Sequence, residues 1–310
     1  MTAAQRGAQT RRFAFRRRWQ PGTLAPYVLI SPALVCLVVF NVLSILVAAG
    51  VSLTNLDISG LADYGNVRFV GLQNYQAMFG DPGFWEALGN TAFFVVLGVP
   101  TLIVGSLAIA IALNFSRSWF FRALRAFYFV PAITAIVAIS LIWGNIYNSQ
   151  FGLLNWLLSL VGKGPVEWLS DPTIAKFSVA LVAIWRGSGL DTIIFLAALQ
   201  AIPAEYYEAA SLDGAGEWRK IFRITLPLMR FAIFFVTVTT LIGWMQFFDE
   251  PYVLTQGGPV HATTSISLYI YQQGFRYDEF GFASAASIVL FAIIAVVTVL
   301  QLRTRRSDGD

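Results

Sequence analysis

Residues Pro203 to Pro227 read PAEYYEAASLDGAGEWRKIFRITLP, the most polar long insert in a chain that is otherwise apolar. Pro203 suits the first turn of a helix, where a missing N–H costs nothing, and Glu205 and Glu208 would lie near the positive end of its dipole. A helix is therefore expected over 204–212. Asp213-Gly214 is a turn dipeptide whose glycine can take positive φ, and a second short helix is expected over 217–225, stopped by Pro227. The small residues Ala209, Ala210 and Ser211 would let a partner approach closely, with Tyr206 and Tyr207 as aromatic anchors. A solvated loop helix with no partner fits the composition equally well.

Outward from this stretch the chain turns greasy. Of 310 residues, 57% are hydrophobic and 12% charged, and the mean hydropathy is +0.66; soluble domains carry about 25% charge. Uncharged runs of about 20 residues exceed what one globular core hides and match the thickness of a bilayer. Length places six spans at about 27–51, 91–113, 126–147, 177–201, 231–254 and 282–302. The expected class is all-α: a polytopic membrane protein with six transmembrane helices and a cytoplasmic helix between spans four and five. A basic arm, 1–24, precedes a membrane domain, 25–304, and a short tail, 305–310, follows it. The apolar patch 153–160 is too short to cross and is expected at the interface or packed on the domain.

Cytoplasmic loops retain Lys and Arg. Sixteen fall on one side: Arg6, Arg11, Arg12, Arg16, Arg17 and Arg18 of the arm, then Arg117, Arg122, Arg125, Arg219, Lys220, Arg223, Arg230, Arg303, Arg305 and Arg306. The other side holds Arg68, Lys163, Lys176 and Arg276, and Arg186 lies inside the fourth span. Both termini and the 203–227 loop are thereby expected in the cytoplasm. The net charge of +4 sits at span ends, which suits lipid headgroups rather than a nucleic-acid partner.

Cys36 is the only cysteine and His261 the only histidine, so an internal disulfide, a multi-cysteine or multi-histidine metal site and a histidine triad are excluded. A G-x-x-x-x-G-K-[ST] phosphate loop is absent, so nucleotide chemistry would have to come from another chain.

Glu208-Ala209-Ala210, then Gly214, then Ile224, Leu226 and Pro227 follow the pattern E-A-A-x3-G-x9-I-x-L-P. The chain thus resembles the permease subunits of carbohydrate-type ABC importers, the maltose, glycerol-phosphate and multiple-sugar permeases. Asp213, Ala215, Phe222 and Gln200-Ala201-Ile202-Pro203 agree, as do the segments from Phe69 to Tyr75 and from Leu254 to Pro259. The resemblance implies a bacterial inner-membrane subunit that binds no cofactor and is not itself an enzyme, with ATP and Mg on a partner ATPase. Its implied partners are two ATP-binding subunits, a second permease of different sequence, an extracytoplasmic solute-binding protein and the sugar. Glu208 would be the anchor toward the ATPase, Gly214 the turn, and Ala209 and Ala210 the close-contact surface.

Ionisable groups within spans face a cavity or one another. Arg186 and Asp191 in span four, and Asp249 and Glu250 in span five, are the candidates. Arg186 and Asp191 are five apart and off one helical face, so a partner on another span is expected for each. One reading is a structural pair between Arg186 and an acid. The other is a sugar site with Trp244 or Phe247 as a stacking platform and Gln246, Arg186 and Asp249 as hydroxyl partners. By resemblance, sugar contacts fall near Ala183, Arg186, Gly187 and Leu190, and near Gly243, Trp244 and Phe247. Ala183 and Trp244 depart from the asparagine-type contacts of a maltose permease, which puts maltose itself in doubt. Gly187, Gly189 and Gly243 serve either packing or bending. The rival readings are a permease for a phosphorylated polyol such as glycerol phosphate, in which Arg186 would line an open cavity, and a non-transporting structural or regulatory membrane protein.

Overall fold

The structure is a computed structural model that describes residues 25–114 and 119–307. The basic arm, Arg117 and the end of the tail lie outside the described residues. The chain divides into two units between Val47 and Ala48. The first holds most of helix α1, Pro26–Val51, which is uncharged throughout and carries a π-turn at Val38–Val42.

The second unit, from Ala48 onward, has among its described residues the helices α2 (Ile58–Ala62), α3 (Gln73–Gly80), α4 (Pro82–Asn114), α5 (Trp119–Ile133), α6 (Ile136–Ile146) and α7 (Leu153–Leu160), followed by α8 (Pro172–Gln200), α9 (Ala204–Leu212), α10 (Glu217–Leu228), α11 (Arg230–Met245), α12 (Ile266–Tyr271) and α13 (Phe280–Ser307), with short 3-10 or π turns at Tyr64–Asn66, Pro251–Thr255 and Gln272–Arg276. No β-strand occurs among the described residues. Among the described residues, four helices are long and apolar enough to cross a membrane: Pro26–Val51, Pro82–Asn114, Pro172–Gln200 and Phe280–Arg303. The pair α10 and α11, bent by 68°, adds a fifth if counted as one span. The all-helical class expected from sequence is therefore present, built on four or five apolar spans.

Two expected spans are interrupted, and proline explains both. The third, expected over 126–147, breaks between α5 and α6. Pro131 has no N–H to return to the preceding turn, and the helix ends within three residues, with Thr134 N–H reaching only Pro131 O at 3.3 Å. The fifth, expected over 231–254, stops at Met245 and resumes at Asp249. Pro251 cannot donate to Phe247 O, and Ser265 Oγ donates to that carbonyl instead. Span four starts earlier than expected, at Pro172, because Asp171 caps it: its carboxylate accepts from Thr173 and Ile174 N–H at 2.9 and 2.8 Å. Span two also starts earlier, at Pro82. Its 33 residues rise about 50 Å, some 20 Å more than the hydrocarbon core.

The most extensive helix pairing is α4 against α8; α11 closes on both and α5 flanks α8. Phe94, Val99, Val179, Ala183, Trp244 and Phe247 form the middle of this packing, and Ala110, Phe195, Leu199, Met229 and Val236 continue it toward the end of α8. A third cluster joins α3 and α4 to α12 and α13 through Met78, Phe84, Ile266, Tyr269 and Leu290. Between lipid-embedded helices, association depends on close van der Waals fit rather than on water release, so small residues matter where helices touch. A Cβ on Gly189 would stand 2.6 Å from Tyr128 O of α5, and one on Gly98 would overlap the Trp244 ring.

Asparagines tie down the connections. Asn74 Nδ2 donates to Ser52 O and Thr54 O at 2.8 Å each. Asn90, buried on α4, donates to His261 O and Thr264 O at 3.0 and 3.1 Å, while Thr91 Oγ1 accepts from Ile266 N–H at 2.8 Å. The loop 256–265 is thereby clamped onto α4. Asn155 donates to Ser149 O and Val166 O and accepts from Val166 N–H and Trp168 Nε1, organising the excursion around α7. The α7 patch is a helix with Leu154 packed inward beside Tyr147 and Val182.

Candidate functional site

Facing stripes on α8 and α11 line an open cavity of about 270 Å³. Ala183, Arg186, Gly187, Leu190 and Asp191 come from α8; Thr239, Thr240, Gly243 and Trp244 come from α11, and Phe247 follows it. Both sets recur every three or four residues, the spacing that keeps side chains on one helix face. Leu102 of α4 and Glu250, just past the break in span five, complete the lining.

Charge in the cavity is largely self-compensated. Arg186 Nε donates to Glu250 Oε1 at 2.7 Å, and its Nη2 lies 3.9 Å from Asp249 Oδ2. Glu250 is 1% exposed, whereas Arg186 and Asp249 are 30% and 51% exposed. The bidding for Arg186 is thus won by the acid that water cannot reach, since a carboxylate in a low-dielectric site needs a cation most. Asp191, also buried, accepts from Thr240 Oγ1 at 3.1 Å, leaving its other oxygen outside that bond. The expectation that Arg186 and Asp191 each find a partner on another element holds. Being off one face does not hold as a separation, because the α8 stripe is wide enough for both to reach the cavity.

Of the other residues singled out from sequence, Gly187, Leu190, Gly243, Trp244 and Phe247 line the cavity, whereas Gln246 and Asp249 do not. Trp244 and Phe247 are only 6% and 7% exposed. Their rings lie 4.9 Å apart at 32°, and Phe247 meets Phe94 edge-on at 5.0 Å. They form a packed aromatic wall rather than an open platform. Gly243 opens onto free space, with nothing within 4 Å of an added Cβ. Leu102, Thr239 and Thr240 escaped the sequence reading; the Thr239-Thr240 pair, two adjacent hydroxyls in an apolar span, was the available signal.

At the end of α8 the chain enters the 203–227 stretch. Helix α9 forms over the residues expected, and Gly214 takes φ +75°. Ala215 N–H donates to Ala210 O at 2.9 Å and Gly214 N–H to Ser211 O at 3.1 Å, the pair of bonds that closes a helix with a left-handed glycine. Glu205, Tyr206, Glu208, Ala209 and Asp213 are exposed, and Ala210 is half-buried. Tyr207 turns inward, and its hydroxyl pairs with Thr225 Oγ1 at 2.9 Å, bracing α9 against α10. Helix α10 runs past its expected stop: Pro227 lies inside it, after a π-turn in which Leu226 N–H reaches Ile221 O. The wider turn absorbs the proline, and the chain bends at Met229 instead.

The family described as "Binding-protein-dependent transport system inner membrane component" matches residues 77–306. The lactose transport system permease protein LacF of Rhizobium radiobacter is 36% identical over 245 residues, covering 77% of this chain and 82% of that protein. The trehalose/maltose transport system permease protein MalF of Thermococcus litoralis is 34% identical over 284 residues, 92% and 94% of the two chains. In fold, the chain is similar to one in the crystal structure of a bacterial alginate ABC transporter in complex with alginate pentasaccharide-bound periplasmic protein. That likeness has a TM-score of 0.77 at 23% identity, over 92% of this chain and 94% of that one. These matches run along nearly the whole membrane domain, and the chain belongs to the family of binding-protein-dependent transport system inner membrane components, multi-pass proteins of the membrane.

Proposed function

We propose that the chain is the permease subunit of an ATP-driven, binding-protein-dependent importer and forms part of the path for a neutral sugar, a disaccharide or oligosaccharide. The observation that carries this reading is the continuity of α8. One face of it lines the cavity, and its end leads directly into α9, an exposed helix bearing Glu208, Ala209 and Ala210 and closed by Gly214. A push on α9 is thus a push on the cavity wall. The pusher would be a separate ATP-binding subunit, present in two copies and carrying the ATP and Mg. A second permease chain would complete the path, and an extracytoplasmic binding protein would deliver the sugar. With six spans, counting the interrupted third and fifth, both termini and the 203–227 loop would lie in the cytoplasm.

Neutral cargo is favoured by the cavity's charge. Among its lining residues Arg186 is the only cation, and it is held by Glu250, while Asp191 adds a further acid. A phosphorylated polyol would need an uncommitted cation, so this arrangement counts against that alternative. Asp191 and the hydroxyls of Thr239 and Thr240 suit sugar hydroxyls, while Trp244 and Phe247, packed against each other, back the wall behind them. The cavity's size, just below the roughly 300–1,000 Å³ usual for ligand pockets, supports passage of one ring of a longer saccharide at a time.

The test is to reconstitute the chain with its partner subunits and measure ATP hydrolysis stimulated by the cognate binding protein loaded with different sugars. Neutral disaccharides or oligosaccharides should stimulate and phosphorylated polyols should not. Stimulation by a sugar phosphate alone would overturn the neutral reading, and failure to assemble with any ATPase would overturn the importer.

A further inference from the structure

Helix α10 carries an exposed face that neither the cavity nor α9 uses. Trp218 and Phe222, spaced i and i+4, are 74% and 60% exposed and stack on each other at 6.2 Å and 21°. Beside this ridge runs a second at the same spacing, Arg219 and Arg223, both exposed and without an acidic partner among the described residues. The opposite face is the one that packs: Lys220, Ile221 and Ile224 are half-buried and Thr225 is buried. The helix's own acid, Glu217, is taken by Lys220 at 2.7 Å. An aromatic ridge flanked by unpaired guanidinium groups is the pattern of a helix lying in a bilayer interface: rings enter the headgroup boundary and arginines reach phosphate.

The bend supplies the orientation. Helix α10 leaves α11 at 68°, and spanning helices tilt about 20° from the membrane normal on average. With α11 crossing the bilayer, α10 lies close to the membrane plane, immediately below the start of a span. We propose that the Trp218/Phe222 and Arg219/Arg223 face of α10 is seated on anionic phospholipid headgroups of the leaflet on its own side. Loop 203–227 is then held from two directions, α9 facing the aqueous side and α10 the lipid. This inference rests on the cytoplasmic placement of the loop, where anionic lipid is enriched, and a headgroup phosphate above an acyl layer accounts for the arginines and the rings together.

The experiment uses the full chain assembled with its partners in nanodiscs of phosphatidylcholine and phosphatidylglycerol. In a Cys36→Ser background, Trp218→Cys carries a bimane label, and either the choline or the glycerol lipid is brominated to act as quencher. The label should be quenched, more strongly by brominated phosphatidylglycerol, and this preference should fall about fivefold for each of Arg219→Gln and Arg223→Gln, the effect of one basic residue at a charged surface. A label at Glu208→Cys on α9 should show no lipid quenching. The inference is overturned if the label at 218 is quenched by neither lipid, whether it stays open to aqueous iodide or is shielded from it by a partner protein. Equal quenching by both lipids, indifferent to the arginines, also overturns it. Co-purification of an ATPase is scored separately, so failure of the importer reading and failure of lipid contact are distinct results.

Discussion

Replacing Arg186 by methionine should be among the most damaging single changes in the membrane domain, more so than replacing its partner. Arg186→Met keeps the side chain's length and apolar stem but leaves Glu250, 1% exposed and bonded to Arg186 at 2.7 Å, without its cation. Asp249 sharpens the loss, since it is an acid already 3.9 Å from the same guanidinium. Removing one partner of a buried pair costs about 3–5 kcal/mol, a fall in the folding constant of roughly a hundredfold to several thousandfold. Glu250→Gln leaves an amide oxygen for Arg186 and no buried charge, and Arg186 still has partial solvent and Asp249, so its cost should be about 1–2 kcal/mol. The double variant Arg186→Met/Glu250→Gln removes the stranded charge and should recover much of the loss. Thermal inactivation and denaturant unfolding of the purified protein in detergent would read all three. The reasoning is refuted if Arg186→Met lies within about 0.5 kcal/mol of the parent, or if the two single effects simply add.

Gly98→Val should overfill the contact with Trp244 and cost about 1–3 kcal/mol; pairing it with Trp244→Leu should restore stability in the same unfolding assay, and no rescue would argue against that contact. Gly214→Asp places a side chain at φ +75°, a left-handed conformation that costs L-residues about 1–2 kcal/mol and aspartate less than most. The variant should still insert but lose uptake and co-purification of its ATPase, so normal uptake would count against the coupling role. Asn155→Ala strands four polar groups of the 149–168 excursion, each costing about 1–3 kcal/mol if it stays dry. Limited proteolysis should then cut that excursion first, and an unchanged pattern would mean that water replaces the amide.

The parts of this protein that were legible in its sequence are those fixed by local chemistry. Helix α9 and the positive φ of Gly214 follow from residues adjacent in the chain. The apolar runs set the membrane class because few other environments take residues such as 91–113 without a charge. Span continuity was less legible: Pro131 and Pro251 were visible, but whether a proline merely bends a helix depends on what donates to the carbonyl it orphans, and Ser265 is 18 residues from Phe247. The misreading of Pro227 has the same root, since a π-turn before it was not foreseeable from composition. At the cavity, Gly187, Gly243, Trp244 and Phe247 were reached through the resemblance to sugar permeases and through the rule that ionisable groups within spans face a cavity, and the structure adds that they share helix faces. The choice of Glu250 over Asp249 as the partner of Arg186 was not legible, because adjacent acids differ only in which one the fold buries.

The carbonyl of Phe247 has a wider consequence. A helical bond at position 251 and the hydroxyl of Ser265 compete for the same oxygen, and proline at 251 removes one competitor. An alanine there would reintroduce it, so that knitting span five into one rod and mooring the 256–265 loop would have to share the lone pairs of one oxygen. The loop is also moored to α4 by Asn90 and Thr91, so straightening the span would strip one fastening from a segment that has others. Continuity of the helix and attachment of the loop therefore meet at one atom, which proline at 251 leaves to the loop.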